Sequence, residues 1–181
     1  MMMTKKAQLF FLFFISLNAH SGLFVNLGAG GLTPHYSFEG KKSYCNQWNN
    51  TGAIFNRTQY ITLGVGRFSL TYMKGEDSIC SPIEGGFFRY DFIQKKYYEW
   101  GVVLGGYGYK EENWLRHKEE TDPSIKSPEP VSIRLNGDRF VPVLALSFNV
   151  HLIRGKRASL KLNNLFAVFI SNHSLAWEYR F

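Results

Sequence analysis

Three side chains in this sequence could together move an acyl group. His35 closes Leu32-Thr-Pro-His-Tyr36, while Asp77 and Ser78 lie in Lys74-Gly-Glu-Asp-Ser-Ile-Cys80. A hydroxyl is a weak nucleophile at neutral pH, so acyl transfer needs a base to take its proton and a group to orient that base. Ser78 could attack an ester, His35 accept the proton, and Asp77 hold the imidazole. This chemistry asks for no cofactor, and none is expected. On spacing alone the trio is a weak signal, since Asp-Ser is a common loop dipeptide and a histidine at a strand end is ordinarily just solvated. Its weight depends on the elements that must position it.

The closing segment points to those elements. In His173-Ser-Leu-Ala-Trp-Glu-Tyr-Arg-Phe181, Leu175, Trp177, Tyr179 and Phe181 share one strand face, and Ala176, Glu178 and Arg180 the other. An alternating strand that ends on an aromatic residue resembles the last strand of bacterial outer-membrane β-barrels. Such barrels are apolar toward lipid and polar toward the lumen. The front end agrees with export. Lys5 and Lys6 precede the apolar run Leu9-Phe-Phe-Leu-Phe-Phe-Ile15, followed by small and polar residues to Gly22, the pattern of a secretory signal peptide over residues 1–21. The run is shorter than the ~20 residues of a spanning helix.

Residues 22–181 are then one domain, rich in aromatic residues and glycine (Tyr 10, Phe 16, Gly 17). The mean hydropathy is slightly polar, which suits strands apolar on one face only. The net charge of +7 is scattered along the chain, with no basic stripe carrying interleaved aromatics. Nucleic acid is a poor partner for that pattern, and anionic lipid headgroups a better one. Two cysteines, Cys45 and Cys80, in an exported chain favour a disulfide between them.

The periodicity predicts eight strands with no amphipathic helix between them. They run from Leu23 to about Pro34, Gln59 to Val65, Phe68 to Lys74, Ile83 to Phe92, Tyr97 to Tyr109, Phe140 to Leu152, Ser159 to Phe166, and from near His173 to the end. Longer external loops are expected near 35–56, 75–82, 110–139 and 166–173, with tight turns between them. The fold class is therefore all-β: an eight-stranded antiparallel transmembrane β-barrel of the bacterial outer membrane, with both termini periplasmic. Eight strands enclose an interior that side chains fill or that holds one small ligand. Arg89, Asp91, Glu99, Lys161, Glu178 and Arg180 all take the inward parity, which predicts a satisfied charge network in the lumen. Glycines 28, 30, 101 and 105 also face inward and are expected to leave room for an acyl chain. Cys45, Cys80, His35, Asp77 and Ser78 all fall at the external rim. Adjacent residues of a regular strand face opposite ways, so Asp77 and Ser78 can act together only from a loop, which Gly75 permits.

At this point the chain resembles the lipid A palmitoyltransferases of the PagP type. The likeness lies in His35 after the first strand, Asp77-Ser78 after the third, Pro82-Ile-Glu-Gly-Gly86, Tyr44-Cys-Asn-Gln-Trp48, and the closing Ala176 to Phe181. That family implies an eight-stranded outer-membrane barrel moving a fatty acyl chain from phospholipid to lipid A, with His35, Asp77 and Ser78 catalytic. It also implies lateral lipid access beside prolines in the first and sixth strands, which here are Pro34 and Pro142. The chain departs from the family in its missing N-terminal amphipathic helix, its longer charged third loop and its cysteine pair. Two alternatives stay open. One is a non-catalytic small barrel whose loops serve adhesion, phage exclusion or envelope integrity. The other is a lipid A deacylase, since His35-Tyr-Ser37 is similar to a His-x-Ser pair of that family. The expected partners are phospholipid, lipopolysaccharide and the barrel-assembly machinery that reads the strand ending at Phe181, around a monomer.

Overall fold

The computed structural model describes residues 22–34, 53–76, 82–110, 132–135, 138–167 and 171–181. Nine strands follow one another: β1 Leu23–Pro34, β2 Ala53–Val65, β3 Phe68–Glu76, β4 Pro82–Gln94, β5 Tyr98–Lys110, β6 Ile133–Leu135, β7 Asp138–Arg154, β8 Ala158–Phe166 and β9 Ser171–Arg180. Eight of them close on themselves. Each long strand pairs antiparallel with its neighbour in sequence, β5 pairs with β7, and β1 pairs with β9. β6 is a short addition that folds back on the start of β7, Ile133 opposite Phe140.

The ladder itself gives the stagger. From Ser171 it passes through Phe166, Leu146, Val102, Tyr90, Phe68, Val65 and Leu23. It arrives beside Phe181, whose N–H donates to Leu23 O at 3.0 Å, ten residues along from where it began. With ~3.3 Å per residue along a strand and ~4.8 Å between strands, that stagger tilts the strands by about 40°. The 12- and 13-residue strands β1, β2, β4 and β5 rise roughly 30 Å at that tilt, the thickness of a hydrocarbon core.

The barrel is inside-out relative to a water-soluble one. Leu70, Leu104 and Leu144 on its exterior are 60%, 59% and 67% exposed, whereas Lys161 and Glu178 inside are 2% and 0% exposed. Most buried side chains are polar: Asn26, Thr58, Thr62, Ser69, Asn149, His151 and Ser174 stand beside the charged ones. Only a lipid solvent rewards this arrangement, because it satisfies the apolar exterior while closure pairs the first strand with the last. Among the described residues no helix is long and apolar enough to cross a membrane; crossing is left to the strands.

Several expected boundaries move outward. β2 begins at Ala53 inside the expected first loop, and β3 runs to Glu76, opposite Pro82. Gly75 is therefore paired strand, opposite Ile83, rather than loop. β6 and the start of β7 occupy the end of the expected 110–139 loop. The reason is common to all of these. Ladder hydrogen bonds continue past the apolar band, where lipid no longer imposes the alternation from which strands are read. β1 departs from regularity at Gly30 and Gly31, with φ of 118° and 141°, and its register with both β2 and β9 shifts there. A side chain would strain either position, so the bulge depends on glycine.

Candidate functional site: the lumen and its two mouths

Strand alternation delivers the charged residues to the lumen, and closure decides which of them meet. Glu99 of β5 is the hub. Lys161 Nζ of β8 donates to it at 2.8 and 3.0 Å, and His151 Nε2 of β7 donates to Glu99 Oε1 at 3.0 Å. Arg180 of β9 and Arg89 of β4 reach the same carboxylate at 3.3 and 3.4 Å. Lys161 also pairs with Glu178 Oε2 at 2.5 Å, and Arg180 Nε donates to Glu178 Oε1 at 2.7 Å. On the other side Arg89 Nε donates to Asp91 Oδ1 at 2.7 Å, and Gln94 Nε2 to Asp91 Oδ2 at 3.3 Å. Arg89, Lys161 and Arg180 thus face Asp91, Glu99 and Glu178, and the formal charges cancel. Phe24, a buried aromatic on the inward face of β1, lies beneath the cations at 5.8 Å from Lys161 Nζ and 5.5 Å from the Arg180 guanidinium. The alternation of β1 could have identified this ring as inward, since it shares parity with Asn26.

Above this layer the lumen is neutral and hydrogen-bonded on one side. Tyr60 shares a hydrogen bond with Ser174 at 3.0 Å and accepts one from Asn163 at 2.6 Å. Thr62 and Thr71 are 2.8 Å apart; on the outer face, beside Phe166, His173 Nδ1 lies 2.7 Å from Asn164 Oδ1. The facing wall, from β4, β5 and β7, is apolar: Val103, Tyr109, Val141 and Ala145 are buried, with Ile83 and Tyr107 packed against Tyr109 and Val141.

The room expected at the glycines is already taken. A Cβ on Gly28 would lie 1.9 Å from the Tyr60 ring, and one on Gly101 would lie 2.6 Å from Asp91 Oδ1. At Gly105 it would meet the Gly86 carbonyl at 2.2 Å, and Gly64 is likewise filled by the Phe24 ring at 2.2 Å. Gly30 alone of the four meets only ordinary contact, Ser174 Cα at 3.6 Å. These glycines make space for inward neighbours, not for a guest. An open depression of about 440 Å³ does exist, but at the turn end, lined by Gln94, Lys95, Lys96, Glu99, Arg154 and Arg180.

His35, Asp77, Ser78, Cys45 and Cys80 lie outside the described residues. The strand ends that flank them, Pro34 of β1 and Glu76 of β3, are both at the end opposite the tight turns, with β2 between them. Pro34 pairs with Ala53. Pro142 is an exposed residue of β7 opposite Gly106. The β7–β8 ladder begins only at Leu146, and β6 takes Asp138 to Phe140. Among the described residues, Val141 to Ala145 therefore have no strand partner on that side.

The architecture defines a class: a closed eight-stranded antiparallel membrane β-barrel with a polar, ion-paired interior. No protein-family model matches the chain, and no curated protein does. Among solved structures it is similar to Ail, the attachment invasion locus protein of Yersinia pestis, determined in complex with the heparin analogue sucrose octasulfate. The identity is 9% and the TM-score 0.37, with 89% of this chain and 99% of that chain covered.

Proposed function

We propose that this chain is a non-catalytic small barrel of the bacterial outer membrane, a sealed anchor whose long loops make the contacts of adhesion, phage exclusion or envelope integrity. The observation that carries this reading is the neutral ionic layer across the lumen, together with glycine notches already filled by Tyr60, Asp91 and backbone. A barrel closed in this way offers neither a pore nor a bed for a lipid chain, which leaves the loops as the working surface. In this reading residues 1–21 direct export, the strand ending at Phe181 engages the assembly machinery, and the turn end with both termini is periplasmic. The experiment replaces residues 111–131 with a short Gly-Ser linker. The barrel should keep its heat-modifiable gel mobility while the host loses surface attachment or phage resistance. An intact phenotype in the shortened protein would sink the reading.

Acyl transfer is the second reading. It is favoured by the apolar inner wall of β4, β5 and β7 lying directly beside Val141 to Ala145, which include Pro142 and have no strand partner on the β8 side among the described residues. Ser78 would attack the donor ester while His35 takes its proton and returns it to the departing lysophospholipid. A lipid A hydroxyl, deprotonated by His35, would then take the acyl group from Ser78, with Asp77 orienting the imidazole, all above the barrel mouth. The lipid A mass spectrum of cells with and without the gene separates the two readings. An added acyl mass that vanishes in both His35→Ala and Ser78→Ala establishes transfer, and an unchanged spectrum leaves the non-catalytic barrel.

A further inference from the structure

The positive charge that looks scattered in sequence is gathered by the fold at one end. The three tight turns carry Arg67, then Lys95 and Lys96, then Lys156 and Arg157, with Arg154 just before the last turn. All six are exposed, and among the described residues none of them pairs with a carboxylate. No acidic side chain is exposed at that end, since Asp91, Glu99 and Glu178 are buried and already engaged. The opposite end is mixed, with Lys74 paired to Glu84 at 3.4 Å.

Two further observations fix the depth and shape of this ring. A collar of aromatic side chains borders it on the lipid face, with Phe68 and Tyr90 at 5.1 Å and Tyr179 and Phe181 at 5.1 Å. Lys96 Nζ sits 5.0 Å from the Tyr97 ring centroid. Aromatic collars of membrane proteins lie at headgroup level, so cations one or two residues beyond them lie among the lipid phosphates. Arg154 is also held in place: its Nη1 donates to Lys95 O at 3.4 Å and to Lys96 O. That tie joins two turns around the depression lined by Lys95, Lys96, Arg154 and Arg180.

We propose that this ring binds the phosphate-bearing headgroups of anionic phospholipids in the leaflet around the turn end, with the Lys95–Lys96–Arg154 depression as its tightest point. The proposal rests on the reading of the barrel as membrane-spanning, but it does not depend on which reading of the loops is correct. Cations at headgroup level attract anionic lipid strongly enough for one or two of them to give about a tenfold preference.

The test uses the full chain folded in detergent and recognised as a barrel by its heat-modifiable mobility. Phosphatidylglycerol, phosphatidylcholine or water-soluble glycerol phosphate is added, and native mass spectrometry reads what is retained. Phosphatidylglycerol should be held about tenfold better than phosphatidylcholine, and the preference should fall to parity in R67A/K95A/K96A/R154A/K156A/R157A, which removes the whole ring and leaves the buried lumen network in place. Equal retention of the two lipids by the wild type, or an unchanged preference in a folded variant, overturns the proposal and leaves the barrel reading standing. Retention of glycerol phosphate as strong as that of the lipid assigns the site to soluble phosphates and overturns the lipid assignment. If the variant does not fold, salt decides on the wild type: the preference must collapse near 1 M, where screening reaches about 3 Å, and persistence overturns the proposal. A chain that never becomes heat-modifiable in any lipid overturns both this proposal and the membrane-spanning reading.

Discussion

Glu99 accepts contacts from Lys161, His151, Arg180 and Arg89 while being 3% exposed, so it compensates more buried charge than any neighbour. Removing one partner of a buried ion pair leaves the other charge uncompensated, which costs far more than the net worth of the pair. Glu99→Ala should therefore destabilise the folded barrel by about 3–5 kcal/mol in a urea titration followed by tryptophan fluorescence. Little change would mean that Glu178 alone can hold Lys161 and Arg180. Gly28 makes a second residue-level test, because its missing side chain is the space that the Tyr60 ring occupies. Gly28→Val should force that ring off its rotamer and cost about 1–3 kcal/mol by the same titration. A stability equal to wild type would show that Tyr60 has somewhere else to go.

At the scale of the element, each long strand does two jobs by alternation, one face for lipid and one for the lumen. Leu104 of β5 sits mid-strand opposite Phe88 and Leu144, all three exposed on the exterior. Arginine on a lipid face near the midplane costs roughly 2–4 kcal/mol, so Leu104→Arg should lower the yield of heat-modifiable protein in bilayers. The same change at Leu152, beside the basic β7–β8 turn, should cost about 0–1 kcal/mol, because the depth is interfacial. Equal penalties at the two sites would contradict the assigned depths. The loops offer an element-level test of their own. A Cys45–Cys80 bridge would close a loop of about 35 residues and contribute roughly 3–4 kcal/mol in the chain-entropy model. Complete thiol labelling of denatured, unreduced protein would show that no bridge forms.

For the whole molecule, closure with a stagger of ten residues decides the interior. A different stagger would bring the same inward residues past different partners, and the three cations would not face the three carboxylates. The resulting ionic layer predicts a sealed barrel. Planar bilayers containing the protein should show no steady conductance, and Arg89→Ala together with Asp91→Ala should open a measurable leak because the charge removed is balanced and the side-chain volume lost is large. Steady single-channel steps from the wild type would contradict the plug.

By itself the sequence determined the fold class, the inward set and most strand positions, because alternation is local and lipid enforces it over every spanning residue. It placed Arg89, Asp91, Glu99, Lys161, Glu178 and Arg180 on one side of the wall and Leu70, Leu104 and Leu144 on the other. It did not reveal that β2 and β3 continue past the apolar band, or that β6 forms, because no alternation is imposed there. Nor could it reveal that Glu99 meets Lys161 across 62 positions of chain, that Tyr60 fills the notch at Gly28, or that the turn cations share one rim. Those are matters of which residue lies opposite which, and only the stagger and closure of the complete ladder decide them.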